Sequence, residues 1–129
     1  MRQSYLFLRK LILPLEQIDK SLPKDGRIAD LGCGQGIVAA YIAKNKSRDV
    51  IGIDSNVKRL DMTKSKNLKF VAGDITKINL GVLKGAVISD VLHHVTPSQQ
   101  QVVLKKVFAS LKKNGVLVIK EIDTDEFTR

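Results

Sequence analysis

Much of the chemistry in this chain is concentrated in Ile28-Ala29-Asp30-Leu31-Gly32-Cys33-Gly34-Gln35-Gly36. An apolar run ends in an acid, three glycines alternate with other residues, and Ile37-Val38-Ala39-Ala40-Tyr41-Ile42-Ala43 continues at helical spacing. That order reads as strand, tight turn and helix start. Glycine accepts positive φ and lets a ligand lie against bare backbone. A helix beginning near Gly36 or Ile37 offers its free N–H groups to that ligand. The dinucleotide fingerprint G-x-G-x-x-G requires a glycine where Ile37 stands. Asp30, two residues before the first glycine, repels a pyrophosphate and attracts an ammonium group. The turn therefore suits a cationic, zwitterionic ligand rather than a diphosphate.

Further acids fall where other apolar runs stop. Asp49-Val50-Ile51-Gly52-Ile53-Asp54 ends in a carboxylate able to accept both hydroxyls of a ribose. The competing role for Asp54 is to cap a helix over Ser55 to Thr63. Leu68-Lys69-Phe70-Val71-Ala72 is followed by Gly73-Asp74-Ile75, where the acid also suits an ordinary turn. Ala86-Val87-Ile88-Ser89 runs into Asp90-Val91-Leu92-His93-His94-Val95. The groups there that could move a proton are His93, His94 and Asp90, and the sequence does not choose among them. Adjacent histidines on an extended or helical segment are expected to point apart, so no shared metal ion is expected. The plainer role packs one of them at the sheet edge and leaves the other in water.

These residues need a scaffold, and its elements are legible. Residues from about Ser4 to Ser21 read as a leading helix with Leu8, Leu11, Ile12, Leu15 and Ile18 on one face, kinked or broken at Pro14. Leu22-Pro23-Lys24-Asp25-Gly26 is a turn cluster before the first strand. Thr96-Pro97-Ser98-Gln99 starts a helix with an N-cap threonine, proline at the first position and a capping box. That helix is expected to run to about Lys113, with Val102, Val103, Val107, Phe108 and Leu111 as its buried stripe, and to end at Asn114-Gly115. Val116-Leu117-Val118-Ile119-Lys120 is the fifth strand, closing on Glu121-Ile122-Asp123. Strand alternating with helix predicts an α/β, doubly wound, Rossmann-like parallel sheet with right-handed crossovers. Strand order 3-2-1-4-5 puts a ligand at the switch point between strands one and four, above their carboxyl ends.

Composition bounds the remaining choices. At 129 residues the chain is expected to be one domain, with its helical lead over 4–22 and its core over 26–123. Lys+Arg of 22 against Asp+Glu of 13 gives a net charge of +9. Such a balance favours RNA, anionic headgroups or an acidic substrate, but most lysines fall on predicted helices and loops as a solvated face. Aromatic content of 5% with no Trp leaves no stacking platform for single strands. Nucleic acid is therefore possible but not favoured. No run approaches the length of a membrane span. The apolar stretch Tyr5 to Leu8 is interrupted by Arg9-Lys10, unlike a signal peptide. The lone Cys33 fits a reducing, cytoplasmic location.

At Asp30, Gly32, Gly34 and Gly36 the chain resembles the class I S-adenosylmethionine-dependent methyltransferases, whose first motif is (D/E)xGxGxG. The resemblance extends from about Gly26 to Asp123 and implies S-adenosylmethionine as methyl donor and S-adenosylhomocysteine as product. It implies a cofactor site made by Asp30, Gly32, Cys33, Gly34 and Gly36 in the loop, Asp54 toward the ribose, Asp74 and Ile75 toward the adenine, and also Ser55 and Asp90. In such proteins a leading helix helps cover the cofactor. The Asn-Pro-Pro-Tyr or Asp-Pro-Pro-Tyr signature of amide and amino N-methyltransferases is replaced here by Ser89-Asp90-Val91-Leu92. The small-molecule branch is the nearer likeness, with an unidentified acceptor. Lys10, Asp90 and Lys120 also resemble part of the Lys-Asp-Lys-Glu set of RNA ribose methyltransferases, without an assignable Glu. The same residues would also serve a cofactor-binding module without turnover or, less well, a plain NAD-binding protein. The family normally adds two strands after the fifth, so the chain reads as a short form or a C-terminally truncated piece. An unpaired fifth strand is a template for self-association; a concentration-independent monomer in light scattering counts against that.

Overall fold

The computed structural model describes residues 14–56 and 65–121. The first turns of the expected leading helix, with Tyr5, Phe7, Arg9 and Lys10, lie outside the described residues. So do residues 57–64, where most of the helix expected after Asp54 falls, and residues 122–129.

Residues 14–21 are helical (α1), followed by β1 (Gly26–Leu31), α2 (Ile37–Ile42), β2 (Arg48–Asp54), β3 (Leu68–Ala72), β4 (Leu83–Ser89), α3 (Pro97–Ser110) and β5 (Leu111–Lys120). The five strands make one sheet in the order β3-β2-β1-β4-β5, every neighbouring pair parallel, as expected. Alternate side chains of a strand point to opposite faces. Accordingly Ala29 and Leu31 join Ile53, Ala86, Ile88, Val103 and Val107 on the α3 side. Ile28 joins Ile18, Ala39, Ile42, Val50 and Val87 on the α1–α2 side. Helices cover both faces, which is why the central strands are apolar at nearly every position. The register aligns Leu31 with Ile53 and Ile88, Asp54 with Ala72, and Ser89 with Lys120. The strands therefore finish on a common rim, and the turns that follow them meet there.

Three local expectations are corrected. Helix α3 starts as expected, with Thr96 Oγ1 accepting from Gln99 N–H at 3.2 Å and Gln99 Oε1 accepting from Thr96 N–H at 3.0 Å. It stops at Ser110 rather than Lys113, because Leu111 turns extended and pairs with Leu83. β5 thus begins at Leu111 instead of Val116. The extra residues are taken up by an irregularity between the Leu83 and Gly85 pairings, with Asn114 left-handed at φ 66°. The buried stripe of α3 is also narrower than its apolar pattern: Val103 and Val107 are fully buried, whereas Val102 is exposed and Phe108 is 65% exposed. The i, i+4 pair faces the sheet with Leu104 packed partly buried beside it, while Val102 and Phe108 stand on the flanks of that line.

At the opposite rim from the glycine turn, Arg48 at the start of β2 is 2% exposed. Its guanidinium donates to the carbonyls of Pro23 at 2.8 Å, Ile42 at 3.0 Å and Asp19 at 3.0 Å, and pairs with the Asp19 carboxylate. One side chain thereby ties α1, the turn before β1 and the end of α2 together.

Candidate functional site

The turn after β1 is built on positive φ: Gly32 at 72°, Gly34 at 55° and Gly36 at 80°. Gly32 and Cys33 N–H groups both donate to the Ile53 carbonyl, at 2.7 and 2.9 Å, which bends the loop toward β2. Side chains would fit poorly at two of these positions. A Cβ on Gly32 would come within 2.6 Å of Val91, and one on Gly36 within 2.8 Å of Phe70. At Gly34 a Cβ would meet nothing within 4 Å and would enter the crevice described below. Gly34→Ala is accordingly expected to cost only about 1–2 kcal/mol in stability, from the left-handed φ. Any ligand lying on that backbone should bind roughly tenfold or more weakly; urea denaturation beside calorimetry separates the two effects.

Above the carboxyl ends of the strands lies a crevice of about 740 Å³. Of the residues expected at a site, it gathers Gly32, Cys33, Gly34, Asp54, Ser55, Asp74, Ile75, Asp90 and His94. Asp30 instead lines a smaller adjoining cavity of about 190 Å³ that shares Gly32, Cys33 and Ser89 with the crevice. Gly36 faces an apolar groove beside α2, with Phe70, Ile37 and Leu15. His93 lies outside the crevice lining.

Each carboxylate has a distinct setting. Asp54 Oδ2 accepts from the Gly34 N–H at 2.8 Å and Oδ1 from the Asn56 N–H at 2.9 Å, so the acid ends β2 and braces the glycine turn together. Asp74 Oδ1 accepts from the Thr76 N–H and hydroxyl at 2.8 and 2.7 Å. That turn hydrogen bonding holds the exposed carboxyl below its usual range. Ile75 beside it is buried in the core. Asp90 sits strained at φ 57°, its Oδ2 bonded to Lys120 Nζ at 2.7 Å and its Oδ1 buried with no partner among the described residues. Asp30 is 2% exposed, and its Oδ2 too is buried and unpartnered among them. Burial pushes the Asp30 carboxyl up to about 7, against the Ala39 N–H, which pulls it down, with the Asp54 charge adding to the rise. Burial, reinforced by Asp30 and Asp54, likewise raises the Cys33 thiol to about 12, so it stays protonated and unreactive.

The histidine geometry corrects another expectation. His93 and His94 do not point apart: their ring centroids are 3.9 Å from each other, with planes inclined at 45°. Leu92–His94 form a single tight helical turn of three residues, in which neighbours are about 120° apart rather than on opposite faces. No group of three or more metal-ligating side chains occurs among the described residues. Sequence reasoning passed over Ser89, which lines both cavities, and Glu121, which touches the histidine turn. Their signal was positional: Ser89 is the last residue of β4, and Glu121 is the first beyond β5.

A doubly wound parallel sheet, a glycine-rich first turn and an acid closing each of the first two strands define a nucleoside-binding domain of the kind that handles a cationic cofactor. Residues 28–115 match a family described as "Methyltransferase domain". The chain belongs to that family, the class I S-adenosylmethionine-dependent methyltransferases, as its resemblance implied. It is 33% identical over 109 residues to carboxy-S-adenosyl-L-methionine synthase from Helicobacter pylori strain J99, covering 79% of this chain and 44% of that protein. The chain thus spans less than half the length of that relative. Among solved structures, the PH0226 protein from Pyrococcus horikoshii OT3 superposes with a TM-score of 0.77 at 24% identity, over 93% of this chain and 60% of that one. Coclaurine N-methyltransferase bound to N-methylheliamine and SAH gives 0.74 at 20% identity, over 84% and 35%. No helix among the described residues is long and apolar enough to cross a membrane.

Proposed function

We propose that this domain binds S-adenosylmethionine across the carboxyl ends of β1, β2 and β3 and transfers its methyl group to a small-molecule acceptor. The observation that carries this reading is the buried Asp30 Oδ2 beneath the glycine turn, which has no partner among the described residues. A buried carboxylate oxygen without a partner is costly, and the ammonium of the cofactor supplies the missing charge and donor. The Gly32–Gly36 backbone lies along the amino-acid portion. Asp54, anchored by Gly34 and Asn56 through one bond per oxygen, has acceptor capacity left for the ribose hydroxyls. Ser55 stands beside it. Asp74 and Ile75 flank the adenine, and Asp90 closes the crevice on the β4 side.

Bound S-adenosylmethionine supplies the reactive methyl; the protein supplies alignment and exclusion of water. The same reading places the domain in the cytoplasm, with the described residues part of a single domain. It also includes self-association along the outer side of β5, the edge strand of the sheet among the described residues.

A second reading takes its support from relatives named carboxy-S-adenosyl-L-methionine synthase. In it the same crevice holds the sulfonium compound as the molecule to be modified rather than as donor to a separate acceptor. Calorimetry tests the shared part: S-adenosylmethionine should bind and NAD should not, and absence of S-adenosylmethionine binding sinks both readings. Mass spectrometry of the recovered cofactor then separates them, S-adenosylhomocysteine marking transfer and a carboxylated sulfonium marking the second reading. Binding with neither product across a broad acceptor panel would leave a cofactor-binding module.

A further inference from the structure

We propose that Glu121 and His93 form a fixed prop for His94, and that His94 takes the proton from a protic acceptor as that acceptor receives the methyl group. This inference rests on the crevice being an S-adenosylmethionine site. The turn that carries both histidines is held from two sides. Glu121 Oε1 accepts from the N–H groups of Leu92 at 2.8 Å and Val91 at 3.3 Å. Gln100, from α3, donates its amide to the carbonyls of Leu92 at 2.7 Å and Val95 at 3.4 Å. A loop clamped at both its donors and its acceptors keeps one shape.

The other oxygen of the same carboxylate, Glu121 Oε2, lies 2.9 Å from His93 Nδ1. Burial raises the Glu121 carboxyl, but hydrogen bonds from His93, Leu92 and Val91 outweigh it and leave the group below its usual range. An ionised carboxylate only accepts, so the His93 proton sits on Nδ1. His93 is thereby committed to Glu121, and its ring is absent from the crevice lining. The His94 ring packs against it, and His94 is among the residues that line the crevice, with Asp90, Val91, Val95 and Gln99. In the strand order this is the β4 end, away from the Asp54 and Asp74 end assigned to the nucleoside. The acceptor would therefore meet His94.

The step balances. A lone pair of the acceptor oxygen or nitrogen forms the bond to the methyl carbon as the carbon–sulfur bond breaks. The electron pair stays on sulfur, giving a neutral thioether, and the acceptor's proton goes to a His94 ring nitrogen. Glu121 and His93 touch no reacting atom; they are positioning residues.

The chain has only two histidines, so ring nitrogens of the 15N-labelled full chain can be read individually by long-range proton–nitrogen spectroscopy, with His93→Gln giving the assignment. The expected result is an Nδ1–H tautomer for His93 in the wild type, lost in Glu121→Ala, and His94 signals that move when S-adenosylmethionine is added. With a protic acceptor from the panel, His94→Asn should lower kcat at least about 100-fold. His93→Gln, which keeps a donor for Glu121, should retain more activity than His93→Ala. A wild-type His93 carrying its proton on Nε2, or His94 signals indifferent to bound S-adenosylmethionine, overturns the proposal, as does full turnover by His94→Asn. Because the tautomer is read in the unmodified protein without ligand, it still judges the prop if S-adenosylmethionine fails to bind, an outcome that removes the proposed function instead.

Discussion

Asp30→Asn is expected to weaken S-adenosylmethionine binding about 100-fold or more while making the ligand-free protein more stable near neutral pH. The two effects have opposite signs because one carboxylate serves both states. In the proposed complex, Asp30 Oδ2 would gain an ammonium partner. Removing one member of a buried pair typically costs about 3–5 kcal/mol, and each 1.4 kcal/mol is about tenfold in affinity. Without the cofactor, the same acid is a liability. Its folded-state value is raised to about 7 by burial, from an ordinary value of 3.8. The native protein thus keeps a proton that the unfolded chain releases at lower pH. The stability linked to this group is fully present below 3.8 and is lost as pH rises through about 7.

An asparagine of the same shape does not titrate, so the variant should lose that pH dependence and gain roughly 2–4 kcal/mol at about pH 8 relative to wild type. Urea denaturation at several pH values measures the stability half, and calorimetry measures the affinity half. Wild-type affinity should rise as pH increases from about 6 to 7.5, because the acid must ionise to hold the ammonium. Equal affinity in Asp30→Asn would place the cofactor's amino group elsewhere.

Arg48→Met is expected to destabilise the fold by about 2–4 kcal/mol and to leave the affinity of the remaining folded molecules for S-adenosylmethionine within about twofold. The guanidinium is 2% exposed and satisfies three carbonyls besides the Asp19 carboxylate. Methionine fills much of the volume but donates nothing, and each buried acceptor left unpaired costs about 1–3 kcal/mol. Two features moderate the loss. The Asp19 side chain is 37% exposed and can turn to water, and replacing a buried ion by an apolar group removes its desolvation cost. The effect should stay remote from the crevice, since Arg48 begins β2 and Asp54 ends it. A linear urea extrapolation with an unchanged m-value is the measurement. A stability change under about 0.5 kcal/mol would mean that water replaces the guanidinium at all three carbonyls.

What the sequence determined by itself is what neighbouring residues encode. The apolar runs, the glycine alternation after Asp30 and the Thr96–Gln99 capping box are local patterns, and the structure realises each of them. The acids at strand ends were equally legible, because a doubly wound sheet brings the carboxyl ends of its strands to one rim whatever the side chains between them. Tertiary structure alone decided the rest. That Asp30 is buried beneath the turn, rather than merely near it, depends on how α2 packs over β1, bringing the Ala39 N–H to the carboxyl. That Leu111 leaves the helix to pair with Leu83 overrides a helical pattern running on past it. The Arg48–Asp19 and Glu121–Leu92 contacts each join residues 29 positions apart. Nothing in either neighbourhood announces them, because strand register brings the partners together, and register follows from packing both faces of the sheet at once.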